Sequence, residues 1–115
     1  MELADYAHIA GAIVTAALGL MGLVRPSAAA AFTSMSPVGK IGVSEIRATY
    51  GGFFLFLGVF ALIVREPLAF QVLGWAWVGA AAGRAVSVVV DASREAKNFG
   101  GIVFEGIIGG LLLFP

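Results

Sequence analysis

Two ionisable side chains, Arg84 and Glu105, stand inside otherwise apolar stretches of the chain. Moving such a charge into hydrocarbon costs about 2.5–3.5 kcal/mol on insertion scales, so each needs a partner or a function. Arg84 lies seven residues before Asp91, and Glu105 eight residues after Lys97. At ~1.5 Å per helical residue, those spacings set the two side chains about 10 and 12 Å from the same end of two consecutive helices. An Arg and a Glu at one depth predict an ion pair. Glu45, Arg47 and Tyr50 open another apolar stretch near that level, and Asp91 lies two turns below Arg84. Together the six offer electrostatic chemistry: a guanidinium to anchor an anion, carboxylates to balance it, and a phenol to hydrogen-bond. On a straight α-helix Glu45, Thr49 and Gly52 share a face while Arg47 points nearly opposite, so Glu45 or Arg47 joins the cluster, but not both.

Three uses compete for this cluster. In the plainest, Arg84–Glu105 is a structural clamp fixing helix register, with Arg47 reaching to lipid headgroups. In the second, the cluster is a polar pocket on the cytoplasmic leaflet that takes the head of a lipophilic ligand, with Arg84 as anion anchor and Glu105 as its counter-ion. The third is movement of ions or protons. Enzyme chemistry stays open beside them: Glu105 or Glu45 as general acid/base on a hydrophobic substrate, of isomerase or epoxide-opening type. Such chemistry needs a carboxyl kept protonated by burial, which an adjacent guanidinium opposes. His8, the only histidine, follows Asp5 and Glu2 at helical spacing, and reads as an interfacial polar patch rather than a metal site. There is no phosphate-binding loop, nucleophile triad or metalloprotease signature, so no cofactor is expected.

The composition decides what must position these residues. Of 115 residues 60% are hydrophobic and 12% charged, seven of each sign, with 16 glycines and no cysteine. Soluble domains carry about 25% charged residues, so a water-soluble enzyme and a disordered chain are disfavoured. Zero net charge leaves no footprint for nucleic acid. Four apolar stretches, about residues 6–24, 46–64, 67–90 and 98–114, are near the ~20-residue length of a membrane span. None alternates as a barrel strand would. The expected fold is all-α, an integral membrane four-helix bundle occupying residues 1–115 as one transmembrane domain. A short interfacial helix is expected over about 26–33, followed by a turn-rich connection over 35–42 that holds Pro37 and two glycines. Glu2 and Asp5, with no early Lys or Arg, argue against a cleaved signal peptide. Arg25, Lys40, Arg94 and Lys97 fall on one side and Arg65 on the other, which puts both termini outside the cytoplasm.

Lipid solvates apolar side chains as well as another helix does, so small residues must let backbones approach. Gly11, Thr15 and Gly19, Gly51 and Gly58, Gly79 and Gly83, and Gly106 and Gly110 form such seams. The same seams serve a homodimer or a larger membrane complex equally well. Trp75 and Trp77 are expected in an outer aromatic belt. Phe53, Phe54, Phe56 and Phe60 are expected against lipid or neighbouring helices.

Residues 45–52, Glu-Ile-Arg-Ala-Thr-Tyr-Gly-Gly, resemble the signature of small bacterial four-helix membrane proteins catalogued as a domain of unknown function. Gly83-Arg84 and Glu105 fit the same pattern. The resemblance implies a multi-pass protein of the bacterial inner membrane with a shared polar cluster, and implies no reaction. The chain is less similar to small multidrug-resistance transporters, which carry a carboxylate within their first helix. Here residues 9–24 hold no acid. The leading expectation is a non-enzymatic module that binds a lipophilic ligand or partner helix. A proton-coupled carrier or an accessory subunit is the further alternative.

Overall fold

A computed structural model describes all residues, 1–115, and they form helices without a strand. The helices are α1 (Leu3–Val24), α2 (Pro26–Phe32), α3 (Gly39–Val64), α4 (Pro67–Val90) and α5 (Ala96–Leu112). Three of them, α1, α3 and α4, are long and apolar enough to cross a membrane. The 17 residues of α5 reach only about 25 Å, against ~30 Å of hydrocarbon.

Proline opens α2 and α4 at the first turn, where its missing N–H and fixed φ cost nothing. Left-handed residues follow three helices: Ser34 (φ 59°), Arg65 (φ 54°) and Ala92 (φ 52°). After α2 this makes a Schellman turn, with Met35 N–H donating to the Ala30 carbonyl at 2.8 Å and Ser34 N–H to Ala31 at 3.2 Å.

The second long helix begins at Gly39 rather than at residue 46, so half of the expected connection is helical. Gly42 permits this, because a Cβ there would lie 2.9 Å from the Pro37 carbonyl carbon. Within α3, residues Arg47–Phe53 wind as a π-helix. Its i→i+5 repeat brings Ile46 and Gly51, both buried, onto one side, where an α-helix would turn them about 140° apart.

The chain divides into two compact units: Met1–Gly11 with Arg65–Pro115, and Ala12–Val64. In the first, α4 and α5 run antiparallel through small residues. A Cβ on Gly109 would meet the Gly74 carbonyl at 3.2 Å and Val78 at 2.9 Å, and one on Gly74 would meet Leu113 at 2.7 Å. Phe70, Leu73 and Trp77 from α4 and Ile108 and Leu112 from α5 are its buried apolar residues. In the second unit α1 and α3 touch backbone to backbone. A Cβ on Gly22 would fall onto the Tyr50 carbonyl, and one on Gly58 would lie 2.6 Å from the Ala16 nitrogen. Ala29 and Ala30 of α2 pack against Ile46, with Met21 and Tyr50 beside them.

Two expectations about packing need correction. A methyl group placed on Gly79, Gly83, Gly106 or Gly110 would meet nothing within 4 Å, so these glycines are not the seams of α4 and α5. Spacing of four identifies a stripe but not which stripe is buried, and the tight positions are Gly74, Gly101 and Gly109. Trp75 is exposed, but Trp77 is buried and stands edge-on to Phe104 at 6.0 Å. Residues two apart cannot share a helix face.

Gly22→Ala should lower stability by about 1–3 kcal/mol, since its new methyl meets backbone. Gly79→Ala, facing open space, should be neutral or gain up to ~1 kcal/mol from helix propensity. Reversible unfolding of the full chain in detergent micelles, compared for both variants, measures the difference.

Candidate functional site

Arg84 and Glu105 arise from the facing stripes of α4 and α5. The Arg84 Nε donates to Glu105 Oε1 at 2.7 Å, forming the ion pair that their spacing predicts. The Glu105 side chain is 11% exposed and that of Arg84 37%, so the pair is sunk at its acidic end and open at its basic end. Gly101 makes the approach possible. A Cβ there would lie 2.8 Å from the guanidinium carbon, and any larger residue would push Arg84 off the helix.

Asn98 completes the arrangement. Its Oδ1 accepts from Arg84 Nη1 at 3.3 Å, and its Nδ2 donates to the Ser93 carbonyl at 2.9 Å. It thus ties the guanidinium to the connection between α4 and α5. From sequence Asn98 reads only as the start of an apolar stretch, although its spacing carries a signal. Residues 98, 101 and 105 are three and four apart and so share one helix face. A guanidinium has five N–H donors, of which two are used here, so three are unspent within the chain.

Asp91 does not join this pair. It accepts from Ser87 Oγ at 2.7 Å at the exposed end of α4. Seven residues are two turns, about 10 Å along the axis, too far for Arg84 to serve both carboxylates. On the connection, Ser93 Oγ donates to Glu95 Oε2 at 2.7 Å. That bond first, and a backbone N–H second, hold the Glu95 carboxyl below its ordinary value.

The other three expected residues belong to the Ala12–Val64 unit. Arg47 is turned to the end of α1, where its Nη1 donates to the Leu23 carbonyl. Pro26 follows α1 and offers no N–H, so the last carbonyls of that helix need donors from outside. Arg47 is therefore a helix cap rather than a side chain reaching to headgroups. Glu45 and Tyr50 line an open cavity of about 330 Å³ between α3 and residues 35–37. The π-helical turn brings them to one side, since they are five residues apart.

At the start of the chain Asp5 Oδ2 accepts the Glu2 N–H at 2.8 Å. His8 stacks on Phe70 with centroids 5.1 Å apart, and its Nε2 bonds the Phe114 carbonyl at 2.7 Å. A carbonyl only accepts, so Nε2 carries the proton.

A family model described as a domain of unknown function (DUF4345) matches residues 5–115. No curated protein and no solved structure matches the chain.

A double-mutant cycle on Arg84→Ala and Glu105→Ala should give a coupling energy of about 0.5–3 kcal/mol, as for residues in one hydrogen-bonded network. Unfolding of the four proteins in micelles measures it, and a coupling of zero would remove the clamp. Ser93→Ala should lower the melting temperature slightly at pH 7. A carboxylate whose folded pKa is depressed contributes stability above its unfolded pKa and loses it as pH falls through the folded value. Melting curves of wild type and Ser93→Ala should therefore converge as pH falls through the range of Glu95.

Proposed function

The chain belongs to that family, DUF4345, and on that premise we propose that it is an integral membrane four-helix protein that binds a lipophilic ligand by its anionic head. Arg84 is the anchor, and Glu105 is the counter-ion that keeps the site neutral before a ligand arrives. One observation carries this reading: Arg84 is held at two of its five donors, by Glu105 and Asn98, while three N–H groups of this part-exposed side chain make no bond within the chain. A guanidinium that served only as a clamp would gain from a bidentate pair, two parallel N–H groups of one edge on the two carboxylate oxygens, where Arg84 gives Glu105 its Nε alone.

Four crossings follow if α5 is the fourth. Its 17 residues run into Leu113 and Phe114, and a slightly short span is accommodated by local thinning of the bilayer. Arg25, Lys40, Arg94 and Lys97 then lie on the cytoplasmic side of a bacterial inner membrane, with both termini periplasmic. Arg84, six residues before the end of α4, is then about 9 Å from that side. A head entering from the cytoplasmic leaflet meets the open edge of the guanidinium, and its hydrocarbon remains among lipid tails. No step of bond making is required of the site, and the function is binding rather than catalysis.

The full chain in nanodiscs of phosphatidylcholine should bind dodecyl phosphate saturably and at least about tenfold more tightly than dodecanol, as a charge-assisted hydrogen bond requires. Arg84→Ala should abolish that preference. Because it leaves Glu105 unpaired, the double variant Arg84→Leu with Glu105→Leu serves as the folded control, and it too should lose the preference. Equal binding of phosphate and alcohol to the wild type overturns the proposal. Dodecyl phosphate binding that survives both variants overturns the role of Arg84.

A further inference from the structure

The cavity of the Ala12–Val64 unit presents chemistry opposite to that of Arg84. Its walls are Met35 and Pro37 on one side and Ile46 on the other, with Glu45, Thr49 and Tyr50 adding oxygens. Glu45 is its only charged residue, and the carboxylate makes no hydrogen bond or ion pair within the chain. The nearest basic residue in sequence, Arg47, is turned away and spent on the Leu23 carbonyl. Tyr50 is half-buried, with its ring held against Phe54 at 6.1 Å between centroids.

Three features fix the shape of this place rather than leave it to chance. The Schellman turn after α2 aims residues 35–37 back over α3. Pro37 lies against Gly42, closing one end. The π-helical turn sets Glu45 and Tyr50, five residues apart, onto the same wall. At about 330 Å³ the space is at the small end of the ~300–1,000 Å³ range of ligand pockets. Exposed Val38 and Ile41 continue an apolar surface from residues beside the opening.

We propose that this cavity is a binding site for a lipophilic ammonium ion. The positive head sits at the Glu45 carboxylate, the Thr49 hydroxyl accepts a second N–H, and the Tyr50 ring supplies a cation–π face. The hydrocarbon lies along Met35, Pro37 and Ile46 and leaves toward the bilayer. An anionic head is repelled by Glu45, and a neutral one gains hydrogen bonds without the charge. The site is independent of the Arg84 reading, because none of its residues takes part in the Arg84 network.

The probe is dodecylammonium, with dodecanol and dodecyl phosphate as neutral and anionic controls, titrated into the full chain in phosphatidylcholine nanodiscs. Empty nanodiscs give the non-specific partition to be subtracted. The expected result is saturable binding of dodecylammonium about tenfold or more tighter than dodecanol. Glu45→Gln should erase that difference and leave dodecyl phosphate binding unchanged, whereas Glu45→Asp should retain most of it. Glu45 is exposed and unpaired, so both variants should fold, and unchanged helical circular dichroism checks this. Arg84→Ala should leave dodecylammonium binding as it is, so this site and the anion site fail separately. Dodecylammonium bound no better than dodecanol overturns the proposal, as does a preference that persists in Glu45→Gln.

Discussion

A helix in hydrocarbon gains little by exchanging lipid for another apolar side chain, so close approach of backbones has to replace the hydrophobic effect. This chain meets that constraint with glycine at nearly every tight contact. Gly19, Gly22, Gly51 and Gly58 bring α1 and α3 together in one unit, and Gly74, Gly101 and Gly109 bring α4 and α5 together in the other. The polar features depend on this closeness. Arg84 can reach Glu105 because Gly101 leaves room for a flat guanidinium against α5. Arg47 can cap α1 because Gly22 and Gly51 bring the end of that helix against α3.

The π-helical turn is the second determinant. One extra residue per turn breaks the α-helical phase of α3, and everything after residue 53 is rotated relative to what a straight helix would give. The rotation lets Ile46 face Ala29 and Ala30 while Gly51 still faces Leu23. Such turns recur at functional sites, and this one carries Tyr50 into the wall of a cavity. Of its two adjacent glycines, Gly51 serves the contact with α1, since a Cβ there would lie 2.7 Å from the Leu23 nitrogen.

The membrane character, the helical class and the Arg84–Glu105 pair are legible because each follows from a sum or a spacing. Composition excludes a soluble surface, and seven- and eight-residue offsets from the helix ends give depth. What is not legible has a common cause. Spacing arguments take helix phase to be that of a regular α-helix, so the π-helical turn, the early start at Gly39 and the shared wall of Glu45 and Tyr50 have no sequence signal. Glycine spacing points to Gly79 and Gly83 where the buried stripe runs through Gly74 and Trp77, because a spacing of four fits every stripe equally. The left-handed stops at Ser34, Arg65 and Ala92 carry no glycine to announce them. Asn98 is legible after all, from its place on the Glu105 face.

Hydrogen-bonding capacity separates the polar residues that hold the fold from those that remain available. Asp5 accepts a backbone N–H, His8 bonds a backbone carbonyl, Arg47 caps a helix and Asp91 takes a serine hydroxyl. Each of these has a local structural partner, which is explanation enough for its presence. Arg84 and Glu45 differ. Arg84 has two bonds and three spare donors, and Glu45 has a carboxylate without any partner in the chain. Charge left unsatisfied beside hydrocarbon is costly unless something outside the chain satisfies it. Water at the interface does so without selectivity. Glu45, however, stands beside a half-buried tyrosine and an apolar wall, and Arg84 is fixed in position by Asn98, so each charge has a defined surrounding. A shaped surrounding for an unspent charge is what distinguishes a binding site from a solvated side chain, and on the two proposals opposite signs would select opposite heads on similar hydrocarbon tails.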